Sequence, residues 1–169
     1  MASLRTADTQ GRHFSGTSRG GDLTDSDAWM EKCFQENLGL LPVERLRPLW
    51  ERFRTLPTGS PDVMTHGGLI PGNLLVTGDQ LVGVLDGGRF GPADPALDLV
   101  AAWHLLDQER RAILRSELAC TSLEWLRGAA WAFQQAMGLA WYYQKTNPGM
   151  SSLGKTTLTR LLNDTEVCN

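Results

Sequence analysis

The sequence predicts a mostly α-helical domain with one small β-hairpin near its middle. Apolar residues recur at helical spacing on both sides of a short segment in which two apolar runs flank a Gly-Asp turn. The chain has 169 residues, of which 41% are hydrophobic and 21% are charged. This composition suits one folded domain that is large enough to bury a core. We therefore expect an α+β domain in which helices supply most of the core.

The first 24 residues are predicted to form a flexible tail or the remnant of a linker. They are rich in Gly, Ser, Thr and Arg and contain only three large apolar residues. Too little apolar surface is available to offset the entropy of ordering such a segment. The folded domain is expected to span residues 25–165.

Two helices are predicted before the hairpin. The first follows the capping residues Asp25-Ser26-Asp27 and has its apolar residues on one face between Trp29 and Leu38. The second has an apolar face from Leu46 to Phe53. Pro48 lacks a backbone N–H, so we expect this helix to start there or to kink.

The hairpin is predicted from two apolar runs on either side of Gly78-Asp79. Asp94-Pro95 then combines an N-cap residue with proline at the first helical position, so Asp94 is interpreted as a helix cap. Short helices should follow, then a long helix from about Ser122 to Tyr143 and a final helix after Asn147-Pro148. The aromatic residues of the long helix and of its C-terminal end are interpreted first as core, although one or two could face a ligand.

Composition excludes several classes of function. The net charge is −3 with scattered basic residues, which gives no reason to expect a nucleic-acid partner. The chain contains no apolar run of bilayer-spanning length, so no membrane partner is expected. Three cysteines without a CxxC motif, and histidines without ligand-like spacing, argue against a disulfide scaffold or a zinc site. We expect a cytoplasmic protein.

One segment has the order of residues that phosphoryl transfer requires. It contains the loop His66–Asn73, then Asp86 after the hairpin, and then Asp94 and Asp98 at a helix start. Phosphoryl transfer needs a carboxylate that orients the acceptor hydroxyl and oxygen ligands that hold Mg²⁺ against the phosphates. Asn73 and Asp86 occupy the positions of the metal ligands. Gly68 stands where the orienting Asp would be.

These residues, in HGGLIPGNLLV, GVLDGG and GPADPALDLVAAW, resemble the catalytic segment of the aminoglycoside phosphotransferase family. The usual form in that family is HGDxxxxN, then D-x-G and DPxxDL, and the resemblance extends over roughly residues 20–165. It implies a protein-kinase-like C-terminal lobe, ATP-dependent phosphorylation of a small-molecule hydroxyl, and Mg²⁺ and ATP as cofactors. It also implies a loop-shaping role for His66, Mg²⁺ ligation by Asn73 and Asp86, and hydrogen bonds from the catalytic-loop backbone to Asp98.

Two departures from the family pattern predict that this chain is inactive or strongly impaired as a kinase. The pattern of the ATP-gripping N-terminal lobe is not found in the chain, and Gly68 has no side chain to orient a hydroxyl. No residue is assigned to binding the nucleotide, and ATP and Mg²⁺ are not expected to bind tightly to this chain alone. The alternative is a non-catalytic module that binds a small molecule or a protein. Partners could be an acceptor molecule, a second copy of the chain, or a chain that supplies the N-terminal lobe.

A competing motif is present near the C terminus. The segment Gly149–Thr156 satisfies the phosphate-binding pattern G-x-x-x-x-G-K-[ST]. A functional loop of this type follows a buried strand and presents its backbone N–H groups to phosphates. Helical sequence precedes the segment here, so we interpret it as a turn between helices that leads into a polar first helical turn with Lys155 exposed.

Overall fold

The computed structural model describes residues 1–16 and 19–168 of the chain. Its described part is mostly helical and contains two separate antiparallel strand pairs, which confirms the predicted mostly α, α+β class. The helices are α1 Ala2–Arg5, α2 Asp27–Glu36, α3 Val43–Phe53, α4 Val100–Leu105, α5 Gln108–Glu117, α6 Ser122–Tyr142, α7 Pro148–Leu162 and α8 Thr165–Cys168. The strands are β1 Val63–Thr65, β2 Leu74–Thr77, β3 Gln80–Val84 and β4 Gly91–Ala93. Short 3-10 helices span Leu23–Ser26, Pro71–Asn73, Gly87–Arg89 and Pro95–Leu99.

The long helix α6 is the centre of the core. Most of its residues are buried, and α2, α3, α4, α7 and the 3-10 helix Pro95–Leu99 all pack against it. A helix that is apolar on nearly all sides is expected in the interior. Glycine lets its neighbours approach closely: a Cβ at Gly154 of α7 would lie 2.7 Å from the Ala136 carbonyl oxygen of α6.

The helix α3 continues through Pro48 instead of starting there. Its apolar face is buried, with Leu46 fully inaccessible and Trp50 stacked on Phe133 at 6.1 Å between ring centroids. Burial of this face stabilises the helix enough to tolerate the backbone hydrogen bond that proline removes.

The phosphate-loop pattern Gly149–Thr156 is helical, because α7 begins at Pro148. The backbone N–H groups of Met150 and Ser151 already donate to the Asn147 carbonyl oxygen, at 3.0 and 3.2 Å, and do not form the open loop that surrounds a phosphate. The segment therefore lacks the strand-to-helix loop of a phosphate-binding site, and the expected turn precedes it instead of lying within it. The expected exposure of Lys155 was wrong, since this residue is only half-exposed.

Part of the segment predicted as a flexible tail contacts the rest of the domain. Arg5 donates a hydrogen bond to the Pro95 carbonyl oxygen at 3.0 Å and pairs with Glu124 at 2.6 Å. Leu23 is fully buried, so contacts with the core begin before residue 25. Residues 17 and 18 of the predicted tail lie outside the described residues, and the flexibility of the remainder stays a prediction.

None of the helices in the described part of the chain combines the length and the apolar character that crossing a lipid bilayer requires.

Candidate active site

Strand pairing brings the two halves of the candidate site together. The strands β2 and β3 form the predicted hairpin, with Leu74 opposite Val84. The ladder continues past the strands, because the Leu85 N–H donates to the Asn73 carbonyl oxygen at 2.8 Å. Asn73 and Asp86 consequently leave the hairpin at the same open end, although 13 residues of sequence separate them.

The loop that starts at His66 is held by a buried carboxylate. Asp98 is 3% exposed and accepts hydrogen bonds from the backbone N–H groups of His66 at 2.9 Å and Gly67 at 3.0 Å. Charged acceptors on backbone N–H groups form strong, short hydrogen bonds. These bonds determine the path of the loop. The catalytic importance of Asp98 stays a prediction.

Glycine is required at position 67 but not at position 68. Gly67 has a φ of 72°, and a Cβ there would lie 3.1 Å from the Arg89 Cβ and 3.2 Å from its carbonyl oxygen. At Gly68 the nearest atoms to a Cβ are the Asn73 Nδ2 at 3.7 Å and the His66 Nδ1 at 3.8 Å. These are ordinary contact distances, so the loop has room for an Asp at residue 68.

The oxygens of Asn73 and Asp86 are suited to a hard divalent cation. The Asn73 Nδ2 donates to the Gly68 carbonyl oxygen at 2.8 Å, which leaves the amide oxygen available as a ligand. Asp86 is exposed and has a left-handed backbone with a φ of 60°, a conformation that Asp adopts more readily than most residues. Mg²⁺ commonly uses one or two such protein oxygens and keeps several waters. Within the described residues, no three His, Cys, Asp or Glu side chains cluster as a metal site.

His66 is a packed residue of the loop. It is 6% exposed, and its Nδ1 has no hydrogen-bond partner among the described residues. It borders an apolar cavity of 430 Å³ between the hairpin and α4. This position agrees with a role in shaping the loop, and that role stays a prediction.

A second cavity, of 400 Å³, lies beside the turn that follows Asp86. Tyr142 and Tyr143 line it, whereas the other aromatic residues singled out in and around α6 are buried or half-buried in the core. Sequence reasoning missed the other polar and aromatic lining residues, which are Arg19, Trp29, Arg89, Gln134 and Gln135. The only sequence signal for Arg89 was its place directly after the Asp86-Gly-Gly segment.

Asp94 has a second role that its capping position did not predict. Its Oδ1 accepts a hydrogen bond from the Ala96 N–H at 2.9 Å, which confirms the predicted cap. Its Oδ2 accepts from the Arg127 Nε at 2.7 Å and the Trp131 Nε1 at 2.9 Å. All three residues are buried. Asp94 therefore forms a structural ion pair with Arg127 and is not free to act on a substrate.

Comparison with known proteins places the chain among phosphotransferases. The model of the phosphotransferase enzyme family, APH, matches residues 2–132. An aminoglycoside 3'-phosphotransferase from Escherichia coli is 39% identical over 61 residues, which are 36% of this chain and 22% of that protein. A second one from Escherichia coli is 32% identical over 107 residues, 62% of this chain and 34% of its own length. One from Salmonella typhimurium is 38% identical over 68 residues, 40% of this chain and 24% of its length.

The chain thus spans about a third or less of the length of these relatives. No solved structure matches it significantly, and the likeness to the C-terminal lobe of a protein kinase stays a prediction. The family match covers well over half of the chain and includes the whole loop, the hairpin and the Asp94–Asp98 segment. This chain therefore belongs to the APH phosphotransferase enzyme family.

Proposed function

We propose that this chain keeps the site framework of an ATP-dependent small-molecule kinase but transfers phosphate very slowly or not at all. The main support for this proposal is the glycine at residue 68. The loop around it is held by Asp98 on one side and by the Asn73 amide on the other, yet residue 68 offers no carboxylate. An acceptor hydroxyl beside this loop has no group to orient it or to accept its proton.

The loss of that group is large in kinetic terms. A general base typically contributes about 10²–10⁴-fold to the rate. The nearby carboxylates do not replace it, because Asp94 is paired with Arg127 and both oxygens of Asp98 accept backbone hydrogen bonds. Asp86 is reserved for the metal ion in this proposal.

Asn73 and Asp86 would hold Mg²⁺ at the open end of the hairpin. When bound, the ion supplies positive charge that neutralises phosphate oxygens. The protein's own contribution is to keep the two ligand oxygens adjacent through the β2–β3 ladder. No residue of this chain is assigned to gripping ATP, so we expect ATP and Mg²⁺ to bind weakly to the chain alone.

A turnover assay tests this proposal. Purified chain with millimolar ATP and Mg²⁺ should not phosphorylate kanamycin or other small hydroxyl compounds above background. Gly68→Asp fits the loop sterically, but without a phosphate grip it should not restore turnover in the isolated chain. Turnover by the unmodified chain that disappears in Asp86→Ala would refute the impaired-kinase proposal.

Metal binding provides an independent readout. Titration with Mn²⁺ followed by electron paramagnetic resonance should detect weak binding that Asp86→Asn abolishes. Asp79→Asn is the matched control, because it removes the same charge from the turn at the other end of the same hairpin. Equal binding by both variants would show that the ion does not use Asp86.

A non-catalytic binding module is the second candidate, and the exposed hairpin favours it. Large apolar side chains that are 45–61% exposed crowd the hairpin and the turn after it: Leu75, Val76, Leu81, Val82, Val84, Leu85 and Phe90. Exposed apolar side chains concentrated in one segment are typical of a contact with another protein surface. We propose that it binds a second copy of the chain or a separate lobe.

Light scattering over a concentration series tests this contact. The unmodified chain should associate at micromolar concentration, and Val82→Lys should shift it to monomer. Ile113→Lys is the control, because Ile113 on α5 is exposed to the same degree, 58% against 60% for Val82. A chain that stays monomeric at high concentration and binds no separate lobe would refute the proposal.

A further inference from the structure

The 400 Å³ cavity beside the candidate active site has a definite chemical character. One wall is the C-terminal half of α6, which contributes Gln134, Gln135 and Tyr142, together with Tyr143 directly after the helix. Trp29 of α2 forms a second wall, and two arginines, Arg19 and Arg89, complete the lining. The lining thus combines aromatic surface, two amides and two cations, and it includes no acidic residue.

The two guanidinium groups influence each other. Burial, followed by the positive charge of Arg89, lowers the pKa of Arg19 to about 10. In the described residues, neither arginine has a carboxylate within 4 Å. Two cations that share a half-closed cavity without a counter-ion form a site to which an anion is attracted.

The protein interior behind the cavity is also electropositive. His104 contacts the lining residue Gln135, and its Nε2 lies 3.2 Å from the Gln135 Oε1. Burial first, and then the charges of Arg19 and Arg160, lower the pKa of His104 to about 4 despite this contact. Arg160 itself donates only to backbone carbonyl oxygens, those of Trp103 and His104. Its charge therefore adds to the field without a carboxylate partner among these contacts.

The cavity lies next to the catalytic loop. The Arg89 backbone covers Gly67, since a Cβ on Gly67 would be 3.2 Å from the Arg89 carbonyl oxygen. Residue 68 is the next residue of the loop. Arg89 therefore lies both in the lining of the cavity and against the loop that contains residue 68.

The aromatic wall depends on a glycine. A Cβ at Gly138 would lie 2.7 Å from the Trp29 Cζ2, so the tryptophan ring rests directly on the backbone of α6. Trp29 as a whole remains 37% exposed. This leaves Trp29 as a flat apolar platform at the edge of the cavity.

We propose that this cavity binds a small organic anion, with its carboxylate or phosphate on Arg19 and Arg89 and its apolar or sugar ring against Trp29 and Tyr142. Guanidinium groups bind both oxyanions through paired, charge-assisted hydrogen bonds. A polycationic aminoglycoside would be repelled by the same two groups. The role of the bound anion as phosphate acceptor rests on the proposed function. The binding of the anion does not.

Calorimetric titration with four matched probes tests the site. The probes are D-glucuronate and D-glucose 6-phosphate as anions, D-glucose as their neutral counterpart, and kanamycin as a polycation. The titrations are made with EDTA and without nucleotide, so a failed kinase proposal cannot affect the result. Both anions should bind with a Kd of roughly millimolar order, and glucose and kanamycin should not bind.

Variants locate the binding. Arg89→Gln should weaken anion binding about tenfold, the usual loss for a charged hydrogen bond. Arg19→Gln should have a similar effect, and Gly138→Ala should weaken binding by displacing Trp29. Arg45→Gln removes one positive charge from an exposed position on α3 and should leave the Kd within about twofold.

The outcomes that overturn the proposal are distinct. Kanamycin that binds more tightly than the anions would reverse the assigned ligand class. Anion binding that is unchanged in Arg89→Gln would place it elsewhere on the molecule, and no anion binding up to about 10 mM would remove the site. Arg89 is exposed, so this variant decides the question even if Arg19→Gln fails to fold.

Discussion

Replacing Asp94 with alanine should destabilise the domain more than any surface substitution of the same type. The Asp94 carboxylate is 7% exposed and the Arg127 side chain 2% exposed, and they pair at 2.7 Å. Removal of one partner from a buried pair leaves an uncompensated charge, which typically costs about 3–5 kcal/mol. The same substitution also leaves the Trp131 Nε1 and the Ala96 N–H without their acceptor.

This loss should appear in thermal as well as chemical unfolding. For a domain of this size, 1 kcal/mol corresponds to a shift in Tm of roughly 2–4 °C, so Asp94→Ala should lower Tm by roughly 6–20 °C. Urea unfolding followed by circular dichroism at 222 nm gives the free energy directly. Arg127 would remain tied to the carbonyl oxygens of Gly21, Leu56 and Pro57, which moderates the loss without removing the charge.

Asp107→Ala is a close control for this substitution. Asp107 also caps a helix, through the Arg110 N–H of α5 at 2.9 Å, and also pairs with an arginine, Arg110. Both side chains of that pair are more than half exposed, so solvent screens the pair and its loss should cost far less than the loss of the buried pair. Equal losses for Asp94→Ala and Asp107→Ala would refute the reasoning that burial makes the Asp94 pair important.

Three further predictions use other parts of the molecule. Lys155→Ala should leave the affinity for ATP, measured by calorimetry, unchanged, and tight ATP binding that is lost in this variant would restore the phosphate-loop interpretation. Gly154→Ala should lower Tm, because the added methyl group would push α7 away from α6. The pKa of His104 in the folded protein is lowered from 6.5 to about 4. The free energy of unfolding should therefore fall as the pH drops from 6.5 toward 4, because the unfolded state takes up the proton in this range. The fall should be up to about 1.4 kcal/mol per pH unit. The decline should be shallower in His104→Asn, and equal slopes in urea titrations would contradict this. Removing residues 1–16 should lower Tm by a few degrees through loss of the Arg5 contacts, and an unchanged Tm would support the tail predicted from sequence.

Local features were predictable from the sequence because their physical causes lie within a few residues. The hairpin at Gly78-Asp79, the Asp94 cap and the long helix from Ser122 all depend on turn chemistry, capping or helical periodicity. The order of His66, Asn73, Asp86 and Asp98 along the chain was enough to identify the family. The helical sequence before Gly149–Thr156 also indicated that this segment lacks the strand that a phosphate-binding loop follows.

Tertiary structure alone decided which distant groups meet. The Asp94–Arg127 pair joins residues 33 positions apart, and nothing in the local sequence of either residue indicates the other. Arg19 and Arg89 come together in one cavity because α6 places both beside its C-terminal half. The space at Gly68, the burial of Leu23 and the exposure of the hairpin likewise depend on what packs nearby. Sequence by itself determined the hairpin, the main helices and the family. Packing determined the β1–β4 pair, the Asp94–Arg127 ion pair and the charge of the cavity, because those contacts form only when the chain closes over long separations.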